Sequence, residues 1–440
     1  MPAKQQAPQL LSVAPMMDWT DIHYRQLARL ITKHTFLYTE MVVDSTLIHN
    51  PDTDRFLWFP PEQRPLVLQL GGSDPAKLAA AAGIAARYGY DEINLNCGCP
   101  SDRVAGAGCF GAALMLRPDV VAGCCAAMRA AVPTRVTVKC RLGADDVDSY
   151  EALCNFVAVV SARGGVDHFI IHARKCLLTG LSPHQNRTVP PLRREWVWAL
   201  KRDFPHLAFS LNGQVEGCHA AARALAAPVP GSEAGLGSHA AAGACIEGVM
   251  IGRAAYSAPW SCLADADMAV WGAPANAAAS RREVLERYAV YGDSVLGRWG
   301  VRQDGSLVPG VRAVAKPLLG LFHGEPGGRR FRVALEHGLR KKPATLSALL
   351  QEALRAIPDS VLDAPPRRTQ APPFAACAED LKGPDGAGPS AREGGPAEIR
   401  GPAPPIHAVS ARRGLERGKP GLAPDDERGA PGKRPRVAVY

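Results

Sequence analysis

Aromatic side chains are scarce in this sequence, at 6% of 440 residues. No apolar run approaches the roughly 20 residues that a membrane-crossing helix requires, so no membrane partner is expected. A secreted disulfide framework is also missing. The 12 cysteines are scattered through apolar segments, as at Cys124, Cys125, Cys140, Cys154 and Cys245. A chain this long can build a core without covalent staples, and that usage fits a reducing, cytoplasmic setting, with an organelle left open. Cys97 and Cys99 form a C-x-C, neither a zinc pair nor a redox C-x-x-C, so no metal is expected. Met1–Leu10 carry no signal-peptide apolar region and are short for a transit peptide.

What is present is a 47% hydrophobic content, which excludes wholesale disorder. The 43 glycines and 38 prolines suggest an ordered part diluted by a low-complexity part. The net charge of +9 is uneven. Residues 1–280 hold 24 basic and 24 acidic side chains, residues 281–345 hold 13 and 6, and residues 361–440 carry +3. A neutral body with a compact basic appendage fits a polyanion partner held at one end, or a solvated helical face.

Eight short apolar runs recur, at Leu10–Pro15, Phe36–Met41, Leu66–Leu70, Glu92–Asn96, Arg135–Cys140, His168–His172, Leu207–Leu211 and Gly248–Ile251. Helix-like stretches separate them, at Ile22–Thr32, Pro75–Tyr88, Pro118–Ala131, Tyr150–Ala162, Trp196–Asp203 and Cys218–Ala226. Apolar throughout, the runs suit parallel strands buried on both faces. Their number and spacing predict an α/β fold, a (β/α)8 TIM barrel over residues 10–275. Small residues at 227–246 interrupt it as a surface insertion. A small all-α domain follows over 281–360, with helices expected at Arg281–Tyr291, Arg312–Phe322, Gly328–His337 and Thr345–Ile357. Residues 361–440 contain 25 Pro and Gly and no Trp, and are expected to be a disordered tail. Its Lys433–Arg436 cluster is a localisation signal, a nucleic-acid contact or merely solvated charge.

Polar residues fall at the C-terminal ends of the runs: Gln69, Asn94, Asn96, Lys139, His172, Asn212, then Gly252 and Arg253. In a barrel these ends meet at the face that carries active sites. Asn212-Gly213 followed by Gly252-Arg253 on the next strand suggests phosphate binding, because glycine admits close backbone approach and Arg253 adds charge-assisted bonds. A lysine at the end of a barrel strand could be the Schiff-base lysine of an aldolase, a surface position or a cation facing a ligand at the mouth. His172 shares no ligand spacing with a second His or carboxylate.

The longer motifs are Val13-Ala-Pro-Met-Met-Asp-Trp-Thr-Asp21, Leu68-Gln-Leu-Gly-Gly72, Asn94-Leu-Asn-Cys-Gly-Cys-Pro-Ser-Asp-Arg-Val104, Val138-Lys-Cys-Arg141, Ile170-Ile-His-Ala-Arg-Lys175 and Val249-Met-Ile-Gly-Arg-Ala-Ala-Tyr256. With Gly180-Leu-Ser-Pro183, Asn186-Arg187 and Leu211-Asn-Gly213, they resemble the tRNA-dihydrouridine synthases of the A-type bacterial subfamily over roughly residues 11–360. That resemblance implies FMN as cofactor, NADPH as reductant and tRNA as partner, in a monomer that reduces D-loop uridine at positions 20 and 20a to 5,6-dihydrouridine. It makes Cys99 the proton donor and Cys97 a packing residue. It places Pro15, Met16, Met17, Gln69, Lys139 and His172 around the flavin ring, and Asn212, Gly213, Gln214, Gly252 and Arg253 at its phosphate. Asn96, Arg174, Lys175 and Arg187 would meet the target nucleotide and the rim, with Arg312, Lys316, Arg329, Arg330 and Arg332 along the RNA backbone. One departure stands out: the family commonly has a second glycine where this chain has Gln214, which strains the loop if that position needs a positive φ. The alternatives are an FMN barrel acting on a small pyrimidine, which would lack a basic helical appendage, and a non-catalytic RNA-binding relative.

Overall fold

The computed structural model describes residues 9–101, 110–229 and 245–367. The strands are β1 (Leu11–Val13), β2 (Leu37–Val43), β3 (Leu66–Gly71), β4 (Glu92–Cys97), β5 (Arg135–Cys140), β6 (His168–His172), β7 (Ala208–Asn212) and β8 (Gly248–Ile251). All pair in parallel, in the order β1-β8-β7-β6-β5-β4-β3-β2. Val13 N donates to Phe36 O (2.9 Å) and Phe36 N to Leu11 O (3.0 Å), which links β1 to the lead-in of β2 and closes the barrel. The eight-stranded α/β barrel is the architecture expected from the sequence.

Local chemistry explains the helices between strands. The Asp21 carboxylate accepts from His23 N and Tyr24 N and so caps the helix Ile22–Ile31. Asp74 and Ser149 cap Pro75–Ala86 and Tyr150–Gly164 in the same way. Gly165, at φ 67°, ends the latter, a conformation glycine adopts without a Cβ penalty. Outward-facing strand residues such as Ile93, Leu95 and Cys97 pack in the layer between strands and helices. A separate small cluster, Ala14, Phe36, Tyr38, Val67, Ile170 and Met250, fills part of the interior.

Past β8 the chain is helical. Arg281–Val295, Gly328–Arg340 and Leu346–Ala353 match expected helices. The segment expected as one helix over Arg312–Phe322 is divided into Val311–Ala315 and a 3-10 turn at Lys316–Gly320. Pro317 has no N–H to continue the α-helical ladder. These helices lie on the barrel: His23 Nδ1 meets the Tyr291 hydroxyl at 3.0 Å, and the Tyr288 hydroxyl donates to Val314 O (2.8 Å) and His23 O (3.3 Å). All described residues belong to one compact unit. Val361 and Leu362 are still buried, so ordered packing runs slightly past residue 360. Most of the 227–246 insertion, and the tail from 368 with its basic cluster, lie outside the described residues. No helix among the described residues is long and apolar enough to cross a membrane.

Candidate active site at the barrel mouth

The strand register brings the expected residues together. Gln69 lies beside Asn94, and Asn94 beside Thr137. Asn96 lies beside Lys139, and His172 beside Asn212. Because side chains alternate along a strand, Glu92, Asn94 and Asn96 share the inward face of β4 while Cys97 points out. Cys97 is fully buried, and that burial raises its thiol pKa far above the ordinary value. Cys99, two residues on, is half-buried at the mouth, and its N–H donates to Asn96 Oδ1 at 3.0 Å.

Arg141, 3% exposed, braces this loop: its Nε donates to Gly98 O (2.8 Å) and its Nη1 to Lys175 O (3.0 Å) and Asn186 O (2.9 Å). One guanidinium thus ties the loop after β4 to the loops after β6. No role was expected for it from the sequence, although it ends the Val138–Arg141 motif.

Lys139 is part-buried, and Arg141, Cys140, Cys99 and His172 are among its charged or titratable neighbours. Burial, followed by the Arg141 charge, pushes its ammonium down to about 8. His172 sits among Arg141, Lys139, Arg174 and Arg187, and burial together with those four cations holds its ring neutral, well below the usual range.

Arginines dominate the side of the mouth formed by β6, β7 and β8. Arg174 is 5% exposed and donates through Nη1 to Pro190 O. It therefore lies inside the site beside Arg194 and Arg253, not on an open rim. The Nε atoms of Arg174 and Arg187 are buried with no partner among the described residues. Burial lowers the pKa of both, and the charges of Arg194 and Arg253 add to it at Arg174 and that of Arg253 at Arg187. Asn212 Nδ2 donates to Met250 O (2.8 Å) and joins the ends of β7 and β8. Gly213 has φ 131° and Gln214 φ 50°, so Gln214 does occupy the left-handed region. Arg194 holds this turn by donating to Gly213 O and Gln214 O. A Cβ on Gly252 would meet nothing within 4 Å, which leaves the backbone beside Arg253 open to a ligand.

After β1, Pro15 and Met16 are part-buried and Met17 is 54% exposed. Met16 N donates to Thr20 Oγ1 (2.9 Å). Asp18, at φ 64°, donates its N–H to Glu40 Oε1 (2.5 Å). Burial, then Asp21, raises the Glu40 carboxyl to about 7. Glu40 had no expected role.

The expected RNA contacts divide. Lys175 is ion-paired with Asp148 at 2.9 Å, and exposed Arg312 with Glu336 at 3.3 Å. Exposed Lys316 donates to Asp18 O at 2.5 Å and so joins the helices to the β1 loop. Arg329, Arg330 and Arg332 are exposed on the helix Gly328–Arg340. The first two line a shallow depression with His337, Glu352 and Arg355. No cluster of three or more His, Cys, Asp or Glu suited to a metal occurs among the described residues.

Comparison with known proteins gives the family. The chain is similar to the "tRNA-dihydrouridine(20/20a) synthase" of Vibrio vulnificus, 42% identical over 351 residues, 80% of this chain and 98% of that one. The protein of the same name from Xanthomonas axonopodis is 46% identical over 346 residues (78% and 92%), and that from Escherichia coli K12 is 42% identical over 348 residues (79% and 91%). A family model described as dihydrouridine synthase (Dus) matches residues 12–358, and the chain therefore belongs to the dihydrouridine synthase family, a family of flavin-dependent oxidoreductases.

Proposed function

We propose that this protein reduces D-loop uridine of tRNA, at positions 20 and 20a, to 5,6-dihydrouridine, with FMN as its flavin and NADPH as reductant. The observation that carries the reading is the meeting at one barrel mouth of Cys99, Lys139 and arginines with no carboxylate partner among the described residues, in a chain of this family.

The residues present suit a flavin mononucleotide. The Nε atoms of Arg174 and Arg187 are buried without a partner among the described residues, and a phosphate offers acceptors for them. Arg174, Arg187 and Arg253, with the backbone of Gly213, Gln214 and Gly252, would hold that phosphate. Pro15, Met16, Gln69, Lys139 and His172 would frame the ring. Reduced and bound there, the flavin supplies a hydride. Lys139, with no carboxylate among the described groups that act on it, offsets negative charge at the ring. His172, kept neutral, acts as a hydrogen-bonding group and adds no cation. Hydride arrives at one carbon of the uracil double bond, and Cys99 Sγ releases its proton to the neighbouring carbon. Asn96 and Arg141 keep the Cys99 backbone in place from two sides. A target base must leave its stack to reach this depth, and the exposed arginines of Gly328–Arg340 suit the phosphates of an RNA held outside.

The test is turnover of tRNA lacking dihydrouridine by the purified yellow protein with NADPH, read by mass mapping of the D-loop. Flavin bleaching by NADPH without dihydrouridine formation refutes the assigned substrate. Absence of any bound flavin refutes the cofactor.

A further inference from the structure

Inside the barrel, below the mouth, a line of polar side chains runs from the catalytic loop toward the N-terminal ends of the strands. Gly98 N and Cys99 N both donate to Asn96 Oδ1, each at 3.0 Å. Asn96 Nδ2 donates to Gln69 Oε1 (2.8 Å), and Gln69 Nε2 to Asn94 Oδ1 (2.8 Å). Asn94 Nδ2 donates to Thr137 Oγ1 (2.9 Å), and the Thr137 hydroxyl to Glu92 Oε1 (2.6 Å). Every donor points the same way, from Cys99 to Glu92. Asn94 and Thr137 are fully buried, and Gln69 and Glu92 are each 1% exposed, so water offers no substitute partners.

The chemistry of the two ends dictates this direction. Backbone N–H groups can only donate, and Glu92, whose carboxyl burial raises to about 7, can only accept once it is deprotonated. Arg135 stands 3.7 Å from the other oxygen, Oε2, and keeps an acceptor wanted on that side as well. Between these ends three amides must be oriented, and each could be turned over with little change of shape. One reversed amide would set donor against donor or acceptor against acceptor at both of its contacts. If Asn96 were the one to turn, it would release Gly98 N and Cys99 N.

We propose that Glu92 and Thr137 are positioning residues for uridine reduction: they anchor a one-way chain of hydrogen bonds that orients Asn94, Gln69 and Asn96 and thereby fixes the backbone of Cys99. The proposal rests on the role given to Cys99 above. With Oδ1 engaged twice and one N–H given to Gln69, the valence Asn96 retains for a ligand is a donor, which suits a uracil carbonyl. Neither Glu92 nor Thr137 touches the mouth, and both act only through their neighbours.

The test compares Thr137→Val, which keeps the shape and removes the hydroxyl, with Thr137→Ser, which keeps the hydroxyl and removes a methyl group. Both are prepared as flavin-loaded protein and compared with wild type. Thr137→Val is expected to lower kcat for tRNA on the order of tenfold, as one unsatisfied buried amide would, with KM for tRNA and flavin reduction by NADPH within about twofold of wild type. Alkylation of the Cys99 peptide, followed by mass spectrometry, should change rate in the same variant. Thr137→Ser should stay within about threefold of wild type in both measurements, because the hydrogen bond survives. A packing role predicts the reverse order, with serine the more damaging. Glu92→Gln, whose amide replaces one of the two acceptor oxygens facing Thr137 and Arg135 with a donor, gives the same comparison if Thr137→Val does not fold. Wild-type kcat and Cys99 reactivity in the hydroxyl-free variant, or equal losses in Val and Ser, overturn the proposal. A wild-type protein that makes no dihydrouridine instead refutes the function on which it rests.

Discussion

On the β3–β5 side of the mouth, Gln69, Asn94, Asn96 and Thr137 answer one another's hydrogen bonds and end on Glu92. On the β6–β8 side, Arg174, Arg187 and Arg253 have no carboxylate partner among the described residues, and the Nε atoms of Arg174 and Arg187 have no partner of any kind among them. The amides of the first side answer one another and leave one Asn96 donor for a ligand, whereas the arginines of the second lack an anion among the described residues. Internally satisfied amides resist reorientation and suit the side where a proton must be delivered to one carbon. Crowded cations are costly unless an anion joins them, so the second side gains most from a bound phosphate. Position and affinity are thus separated between two halves of one barrel.

The sharpest way to break the comparison is at Cys99. Cys99→Ala is expected to keep the bound flavin and lose tRNA turnover by at least about a hundredfold, since a positioned acid contributes that much. Absorbance and dihydrouridine analysis read the two effects separately. Next comes the arginine side: Arg253→Ala should weaken FMN binding by roughly tenfold or more while leaving the fold intact. Fluorescence titration of the flavin-free protein measures it, and an unchanged Kd would take Arg253 out of the phosphate site.

A pH series adds a smaller effect of definite sign. Lys139, held near 8 in the flavin-free site, is protonated below that value. Anionic FMN binding favours the charged form, so affinity should be level below about 8 and fall as pH rises above it. Lys139→Met should flatten the profile, and a wild-type profile equally flat up to pH 10 would remove Lys139 from the ring. The smallest effect is expected at Gln214→Gly. Relief of the positive φ, about 1 kcal/mol, is offset by glycine's chain entropy of ~0.5–1 kcal/mol. The melting temperature should therefore stay within about 2 °C of wild type.

The sequence made one side far more legible than the other. Parallel barrel strands appear as apolar runs, and the polar residue at each C-terminal end marks the mouth, so Gln69, Lys139, His172 and Asn212 could be placed by counting strands. The alternation Glu92-Ile-Asn-Leu-Asn96 already put three polar side chains on one face of β4. Nothing in it showed that Thr137 lies level with Asn94, because register between strands is a property of the closed sheet. Arg141 was missed for a related reason: its three acceptors are backbone carbonyls, which leave no trace in residue identity. Arg174 was expected on the rim and lies buried beside Arg253. The mouth curls over its strand ends, and two adjacent residues such as Arg174 and Lys175 face different surroundings.

The most direct measurement is mass mapping of the D-loop after unmodified tRNA is incubated with the purified flavoprotein and NADPH. A gain of two mass units on uridine at positions 20 and 20a, absent with Cys99→Ala, is the predicted result. An unmodified D-loop, with the flavin bound and reduced by NADPH, would contradict the account.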